Sequence, residues 1–176
     1  MEGSYFYKII KCPLGDLVLV VSDVGLRLVL FRPGDDRWKE NYARLRYSED
    51  HALLLRTEKQ LNEYFCHKRT GFDIPIVFEG TEFQKKTWQC LLKIPYGRTI
   101  CYSEQARMSG DGRKARSTGQ ANSKNPISII VPCHRVIGKD GTLTGYAGGL
   151  DKKEFLLDHE KARLDSTSKS LKTRVS

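Results

Sequence analysis

Cys133, His134 and Arg135 stand side by side, directly after a proline and an apolar run. A cysteine is nucleophilic as its thiolate, and neighbouring groups set how much thiolate is present at neutral pH. A histidine can take the thiol proton when a carboxylate orients its ring. Because adjacent side chains of an extended segment point to opposite faces, we expect His134 to act through a bend or a bridging water. Taken alone, the Cys133–His134 pair favours two structural residues, so the case for chemistry depends on the surrounding sequence.

The segment before the cysteine predicts where the thiol lies. Residues 127–131 are mostly β-branched and apolar, so we expect an extended segment buried in the core. Pro132 restricts the backbone that enters Cys133. The thiol is therefore predicted at the boundary of the core, where neighbouring groups can control its protonation.

The net charge of +9 is confined to one half of the chain. Residues 1–79 hold 12 Lys/Arg and 12 Asp/Glu, whereas residues 80–176 hold 18 Lys/Arg against 9 Asp/Glu. A basic excess in one half favours a polyanionic partner such as a nucleic acid, because phosphate contacts dominate non-specific affinity. A basic surface that only aids solubility is the alternative.

Composition narrows the class of protein. The 176 residues are 39% hydrophobic and 29% charged, which suits one globular domain or two small ones. The aliphatic runs are far shorter than the ~20 residues of a membrane span, and the N-terminal residues lack a signal-peptide pattern. We therefore expect an intracellular protein without a membrane partner. The five cysteines contain no Cys-x-x-Cys pair, which predicts free thiols, no disulfide framework and no metal.

The first half predicts a small β-rich unit. Three apolar, β-branched runs separated by turn residues predict strands over residues 5–10, 17–22 and 26–31. Apolar residues on one face predict a helix within residues 48–65. Alternating apolar residues over 72–78 predict a short edge strand, since Pro75 lies inside it.

The second half predicts paired helices. A capping-box pattern at residues 81–84 predicts a helix start. A short helix capped by Ser103, a turn at residues 110–112 and a helix over residues 113–123 have the order of a helix-turn-helix. The small and polar residues of the second helix favour close approach to a DNA groove, with close packing on a neighbouring helix as the alternative. After residue 160 the Ser-, Thr- and Lys-rich sequence predicts a flexible basic tail.

Residues 130–138 read Ile-Val-Pro-Cys-His-Arg-Val-Ile-Gly, and residues 145–150 read Gly-Tyr-Ala-Gly-Gly-Leu. Together they resemble the active-site signature of the 6-O-alkylguanine-DNA alkyltransferases, also called methylated-DNA–protein-cysteine methyltransferases. The similarity covers residues 80–160 almost continuously, and residues 1–79 resemble the family's N-terminal domain loosely, mainly at residues 13–15. Further matching positions are Phe83, Gln84, Trp88, residues 94–97, Tyr102, Ala115, Arg116, Asn125, Pro126, residues 153–157, His159 and Glu160.

We accordingly predict an α+β (α/β) protein in three parts. Residues 1–79 are expected to form the β-rich N-terminal domain with its helix. Residues 80–160 are expected to form a mainly helical domain with the helix-turn-helix and the active-site cysteine, and residues 161–176 the flexible tail. The resemblance implies DNA repair: 6-O-alkylguanine, and 4-O-alkylthymine as well, is flipped out of the duplex, and its alkyl group moves irreversibly to Cys133. Since water has no carbonyl to attack in a thioether, each molecule reacts once, and no cofactor is needed.

The family pattern assigns residues to three tasks. The implied reacting and orienting residues are Cys133, His134, Glu160, Tyr102 and Asn125. The implied DNA contacts are Arg116, Tyr102, Ser103, Ala115, Ser117, Gln120, Asn122, Ser123 and Lys139. The implied substrate pocket consists of Val136, Tyr146, Ala147, Gly148 and Lys153.

By similarity, Arg116 fills the gap that the flipped nucleotide leaves, and Tyr102 helps to rotate the phosphate and protonates the departing guanine. Glu160 orients His134, and Asn125 holds the turn around the cysteine. The implied partner is double-stranded DNA with an alkylated guanine, bound in the minor groove by a monomer, with cooperative binding as an option. We expect the protein in the nucleus, or in the cytoplasm if the source is bacterial.

Three residues depart from the vertebrate members of the family. Asn122 and Ser123 replace an apolar residue and an arginine on the predicted groove face, and Ser128 replaces a proline that walls the pocket. The resemblance therefore leaves two properties undecided, namely the strength of the groove contacts and the acceptance of bulky alkyl groups. Two other functions fit parts of the sequence: a module that binds alkylated DNA without repair, which would lack Cys133, and a Cys–His hydrolase, which has no use for a basic half.

Overall fold

The computed structural model describes residues 4–31 and 37–172, and its first three strands lie where the sequence predicts them. They are β1 (Tyr5–Cys12), β2 (Gly15–Ser22) and β3 (Gly25–Phe31), which pair antiparallel as consecutive neighbours. A short strand β4 (Leu45–Tyr47) adds parallel to β1, so the sheet order is β3-β2-β1-β4. Residues 17–21 of β2 are fully buried, which explains their unbroken apolar sequence.

Helix α1 (Ala52–Phe65) covers this sheet through Leu54, Leu61 and Tyr64, and a 3₁₀ helix spans Arg37–Asn41. The predicted edge strand over residues 72–78 is reduced to one bridge, between Leu26 and Ile76. Leu26 N–H donates to Pro75 O at 2.8 Å and Val77 N–H donates to Leu26 O at 3.0 Å. Because proline has no N–H to donate, a longer ladder does not form here.

The chain divides into two compact units, Met1–Thr81 with Pro126–Ile130, and Glu82–Asn125 with Val131–Ser176. The sequence predicted an unbroken domain over residues 80–160, and the structure corrects this at residues 126–130. Val29 N–H donates to Pro126 O at 3.0 Å and Ser128 N–H donates to Val29 O at 2.9 Å, so this segment pairs with β3. Residues 126–130 thus belong to the packing of the first unit.

The apolar segment that precedes the cysteine is buried, as predicted, but it is not extended throughout. Ile130 N–H donates to Ser128 O at 2.8 Å, which closes a γ-turn on Ile129. Ile129 has φ of +70°, a strained value for a β-branched residue. Ile129 is also fully buried, and burial of its side chain offsets the strain of this turn.

The second unit contains mainly helices. Its elements are α2 (Glu82–Leu91), β5 (Ile100–Cys101), α3 (Tyr102–Met108), α4 (Ala115–Ser123), β6 (Val136–Ile137) and α5 (Leu150–Lys172), with 3₁₀ helices at Gly112–Lys114 and Cys133–Arg135. Strands β5 and β6 pair parallel. Helix α2 begins directly after Thr81, where the capping box predicts it. A β-sheet in one unit and helices in the other confirm the α+β class.

Helix α3 corrects one predicted cap. Its N-cap is Cys101 rather than Ser103, and the Cys101 N–H donates to the Glu104 carboxylate at 2.8 Å. Ser103 lies in the first turn, with its Oγ 3.1 Å from Cys101 Sγ. A carboxylate in the first turn satisfies a free N–H and favours the positive end of the helix dipole.

Helix α5 extends to Lys172, into the residues predicted as a flexible tail. A helical backbone does not measure mobility, so the flexible tail stays a prediction, and residues 173–176 lie outside the described residues. Within the described part of the chain, no helix combines the length and apolar character that crossing a membrane requires.

Candidate active site

Two tight turns carry the chain into Cys133. Cys133 N–H donates to Val131 O at 2.9 Å, and Pro132, with φ −83° and ψ 65°, forms the centre of this inverse γ-turn. Asn125 holds the turn from inside, because its Nδ2 donates to Val131 O at 2.8 Å and to Cys133 Sγ at 3.2 Å. The bend expected at the Cys–His pair is thus a turn of 3₁₀ helix over Cys133–Arg135.

Cys133 is buried, with 6% of its surface exposed. Burial raises its pKa, while the Asn125 hydrogen bond and the charge of Lys153 act in the opposite direction. Burial prevails, so the thiol keeps its proton at neutral pH in the free protein. A nearby base is therefore needed before the sulfur can attack.

His134 is fully buried next to this thiol in sequence, and its Nε2 lies 2.9 Å from Glu160 Oε1. Burial lowers the pKa of the imidazole, against a smaller opposing effect of Glu160. A neutral ring that donates its Nε2 proton to the carboxylate has a free lone pair on Nδ1. His134 Nδ1 is buried and has no hydrogen-bond partner within the described part of the chain. His134 is thus poised as a proton acceptor.

Glu160 is fully buried and is held by Arg135 as well as by His134. Arg135 Nε donates to Glu160 Oε2 at 2.9 Å and Nη2 donates to Oε1 at 2.9 Å. Gly97 N–H adds a bond to Oε2 at 2.9 Å. Burial alone would raise the pKa of Glu160, but the bonds and charges of His134 and Arg135 lower it to about 2. The carboxylate is therefore ionised whenever the protein is folded near neutral pH.

Arg135 was not assigned a role from the sequence. Its Nη1 donates to Ile94 O at 2.6 Å, and its guanidinium lies 5.7 Å from the centre of the Tyr96 ring. The signal was present in the Cys-His-Arg string, because an arginine in a buried apolar stretch needs an acidic partner. No sequence rule identified Glu160 as that partner independently of the family resemblance.

Lys153 is buried and donates to two carbonyl groups, Val136 O and Thr144 O, each at 2.7 Å. Burial lowers the pKa of its ammonium group. The Tyr102 hydroxyl donates to the same Thr144 O at 2.9 Å. Thr144, absent from the sequence predictions, thus links Lys153 to Tyr102, and the carbonyl group of Val136 is bonded to Lys153.

The remaining predicted pocket residues lie in the loop after β6. Tyr146 and Gly148 are half-buried and Ala147 is exposed, and Gly149 N–H donates to Tyr146 O at 3.0 Å. Lys139 is exposed in a tight turn closed by Gly138 N–H donating to Thr142 O at 2.8 Å.

An open groove of about 490 Å³ runs along α4. Its lining residues are Tyr102, Ala115, Arg116, Gly119, Gln120, Ser123, Thr144 and Gly145. The structure therefore brings together most of the predicted DNA contacts of this helix. Ser117 is exposed on α4 and Ser103 is half-buried on α3, and neither lines this groove.

Asn122 corrects the predicted set of groove contacts. It is 5% exposed, and both polar atoms of its amide group bond to Gln105 on α3. Helical spacing places Asn122 on the face of Thr118 and Ala121, which is buried, whereas Arg116, Gln120 and Ser123 are exposed. Asn122 is thus unavailable to a groove as the helix stands.

No group of three His, Cys, Asp or Glu side chains among those described lies close enough together to hold a metal ion. The polar chemistry of the second unit centres on the buried thiol and on the His134–Glu160–Arg135 cluster. Fold and site together define a two-unit protein in which a buried cysteine is followed by a buried histidine whose ring contacts an ionised carboxylate.

Comparison with known proteins identifies this class further. Residues 5–78 match the domain described as 6-O-methylguanine DNA methyltransferase, ribonuclease-like domain, and residues 82–162 match the DNA binding domain of the same family. The methylated-DNA–protein-cysteine methyltransferase of Methanosarcina acetivorans is 44% identical over 161 residues, which cover 88% of this chain and 97% of the relative. The chain belongs to the 6-O-methylguanine-DNA methyltransferase family.

Two further relatives agree. The constitutive methylated-DNA–protein-cysteine methyltransferase of Bacillus subtilis is 40% identical over 158 residues, covering 89% of this chain and 95% of the relative. The crystal structure of Mycobacterium tuberculosis OGT in complex with DNA matches with a TM-score of 0.81 and 40% identity, over 90% of this chain and 94% of that one. These relatives are archaeal and bacterial, so the expected nuclear location has no support from them.

Proposed function

We propose that the protein repairs DNA by moving the alkyl group of 6-O-alkylguanine, and of 4-O-alkylthymine, onto Cys133. The observation that carries this proposal is the buried thiol, bonded to Asn125 and followed in sequence by a histidine that Glu160 orients. Relatives named for methyl transfer from DNA to a protein cysteine, over nearly the whole chain, support the same reaction.

The reaction is a displacement at a saturated carbon. Cys133 Sγ forms a bond to the alkyl carbon while the bond from that carbon to the guanine oxygen breaks. The thiol proton passes through a water molecule to His134 Nδ1, and Glu160 stabilises the imidazolium through Nε2. The guanine receives a proton from the Tyr102 hydroxyl as it leaves, so the repaired base is neutral.

The chemistry of the product determines how often each molecule can react. A thioether offers no carbonyl carbon to water, so the acyl-enzyme hydrolysis of cysteine hydrolases has no counterpart here. The transferred group stays on Cys133, and each molecule acts once. The lesion is itself the alkyl donor, so the reaction consumes no cofactor.

The groove along α4 is the proposed DNA-binding surface. Helix α3, the turn and α4 act as a helix-turn-helix that enters the minor groove, where small residues such as Ala115 and Gly119 permit close approach. Arg116, exposed at the start of α4, occupies the space of the flipped nucleotide. The 18 Lys/Arg against 9 Asp/Glu of residues 80–176 supply attraction to phosphate.

The flipped base needs a pocket next to Cys133. We assign its walls to the loop of residues 146–148, whose backbone N–H groups face the guanine oxygen, and to Val136, whose carbonyl oxygen accepts from the exocyclic amine. Lys153 already bonds that oxygen, which retains a second lone pair for the base. Lys139, exposed in the following turn, contacts a phosphate. The Tyr102 hydroxyl leaves Thr144 O when it turns to the DNA.

The protein works as a monomer, and binding of neighbouring copies along the DNA is a separate question that titration on long duplexes answers. The archaeal and bacterial relatives support the cytoplasm as its location rather than the nucleus.

Intact mass tests the proposal. The protein is incubated with duplex DNA that carries one 6-O-methylguanine, and a gain of one methyl group at 1:1 stoichiometry is expected. Cys133→Ala abolishes the gain, whereas Cys66→Ala, which changes an exposed cysteine of the first unit, retains it. Duplex binding without any mass gain would sink the proposal in favour of a module that only binds alkylated DNA, and repeated turnover on a thioester would favour a hydrolase.

A further inference from the structure

A reciprocal amide pair joins the two helices that the proposed function assigns to DNA. Gln105 Nε2 on α3 donates to Asn122 Oδ1 on α4 at 3.0 Å, and Asn122 Nδ2 donates back to Gln105 Oε1 at 2.7 Å. The Gln105 amide also donates to Thr87 O on α2 at 3.1 Å. We call the Gln105–Asn122 pair the amide clasp. Its two residues are 0% and 5% exposed, so water does not compete for these bonds.

The amide clasp lies one helical turn from the contact between Tyr102 and α4. A Cβ atom placed on Gly119 would lie 3.5 Å from Tyr102 Cε1, which puts the Tyr102 ring directly against the α4 backbone. Tyr102 precedes Gln105 by three residues on α3, and Gly119 precedes Asn122 by three on α4, so both contacts share one seam. A shift of α4 at the clasp therefore moves Gly119 under the Tyr102 ring.

Stability alone does not explain a buried amide pair. Burying two amides costs desolvation free energy, which their hydrogen bonds largely offset. The net contribution of the pair to stability is therefore no larger than that of an apolar pair of equal size. Directional hydrogen bonds, in contrast, permit only one relative rotation and one register of the two helices, as a single buried asparagine does in a coiled coil. The α2 side reinforces this, since Trp88 Nε1 donates to Ala121 O at 2.9 Å, next to the clasp.

We infer that Gln105 and Asn122 are positioning residues for DNA binding: the amide clasp fixes α4 on α3 and so sets where Arg116 stands relative to Tyr102. The inference rests on the proposed function of the α4 groove. Asn122, expected from the sequence to touch DNA, thus acts from the buried face of the same helix. Its partner Gln105 carried no signal in the sequence.

The test compares variants that break the amide clasp with one that replaces it. Gln105→Met leaves the Asn122 amide without its partner, and Asn122→Leu leaves the Gln105 amide with only its bond to Thr87 O, so we expect the Tm of each variant to drop by roughly 3–8 °C. The double variant Gln105→Met/Asn122→Leu has an apolar pair of similar volume, and its Tm is expected to return to within about 2 °C of the parent. Affinity for an undamaged duplex is expected to weaken about tenfold in the double variant, one decade being a modest positional loss.

Two readouts separate positioning from general stability. Methyl transfer from the free base 6-O-methylguanine uses the pocket without the groove, and its rate is expected to stay within about twofold of the parent. Gln60→Met is the matched control, because Gln60 is a buried amide of the first unit that bonds Asp73 N–H and Asp73 O at 2.8 and 3.2 Å. We expect this variant to lose stability while its duplex affinity stays that of the parent.

Parental duplex affinity in the double variant would overturn the inference. If the double variant stays less stable than the parent, its duplex affinity is compared with that of Gln60→Met at an equal loss of Tm. A loss of affinity no larger than that of Gln60→Met would also overturn the inference. The duplex carries no lesion, so its binding does not depend on methyl transfer. A parent that binds the undamaged duplex but gains no methyl group from a separate duplex carrying 6-O-methylguanine refutes the proposed function and leaves the inference to be decided by the variants.

Discussion

Arg135 holds both oxygens of the Glu160 carboxylate, with Nε 3.2 Å from Oε1 and 2.9 Å from Oε2. The Arg135 side chain is 8% exposed and that of Glu160 is 0% exposed, so salt screens this pair little. His134 shares Oε1 with Arg135. Arg135 therefore compensates part of the carboxylate charge before the imidazole takes a proton, and the contact of Glu160 Oε1 with Nε2 fixes the orientation and tautomer of the ring.

Loss of this arginine is expected to cost the protein much of its stability. Arg135→Met leaves the Glu160 charge buried with one partner removed, and breaking a buried pair in this way costs about 3–5 kcal/mol. Urea unfolding at neutral pH measures the change in free energy of unfolding. The matched control is Arg56→Met, which removes an exposed ion pair to Asp73 and is expected to cost less than about 1 kcal/mol. Equal losses in the two variants would contradict the importance of the buried pair.

Stability below neutral pH is expected to depend on Glu160. Hydrogen bonds and charge from His134 and Arg135, acting against burial, lower its pKa from 4.5 to about 2. A carboxyl group whose pKa is lower in the folded state stabilises the fold fully above pH 4.5, and that stability is lost as the pH falls towards 2. The whole effect amounts to about 3 kcal/mol, of which about 2 kcal/mol is lost by pH 3.

The measurement is the free energy of unfolding at about pH 5.5 and pH 3 for the parent and for Glu160→Gln. The glutamine cannot titrate, so the variant starts less stable but loses about 2 kcal/mol less between the two pH values. Parallel losses in parent and variant would show that the acid lability comes from other carboxyl groups.

Asn125 is expected to set the rate of alkyl transfer. Its Nδ2 donates to Cys133 Sγ, and a hydrogen bond to a charged group is worth about 1.5–3 kcal/mol once thiolate character develops. Asn125→Ala should therefore slow single-turnover transfer from a saturating methylated duplex by roughly 10- to 100-fold. Asn62→Ala, which changes an exposed amide on α1, should react at the parental rate. A rate within about twofold of the parent in Asn125→Ala would exclude this role.

The sequence predicts local structure well where one residue type decides it. One example is the strand over residues 17–22, where an unbroken apolar run has to be buried. Another is the start of α2, where the free N–H groups of the first turn need the acceptors of a capping box. Single-sequence patterns fail where long-range partners decide. Residues 126–128 pair with Val29, about a hundred positions earlier, and the extended path ends directly after them in the turn on Ile129. Asn122 faces inward because Gln105 offers a matching amide, and only the folded chain brings the two together.

The cluster of Cys133, His134, Arg135 and Glu160 shows the same division. Cys133 and His134 are adjacent, so their pairing is visible in the sequence, whereas Glu160 was identified through the family resemblance. Arg135 escaped assignment although it bonds both Glu160 oxygens. A buried charge reveals its function only with its partner, and that partner lies 25 residues away on α5.

Two glycines of the first unit are expected to respond oppositely to alanine. At Gly25 an added Cβ would lie 2.9 Å from Pro75 O, a backbone atom, and 2.9 Å from Val77 Cγ2. Gly25→Ala therefore has to push residues 75–77 off β3 and strain the bonds of Leu26 to that segment, which should cost about 1–3 kcal/mol.

At Gly71 an added Cβ would meet no atom within 4 Å, so Gly71→Ala should be neutral or stabilise by up to about 1 kcal/mol, because the unfolded chain loses entropy. Urea unfolding of both variants decides the matter, and a Gly25→Ala protein as stable as Gly71→Ala would mean that residues 75–77 add nothing to the sheet.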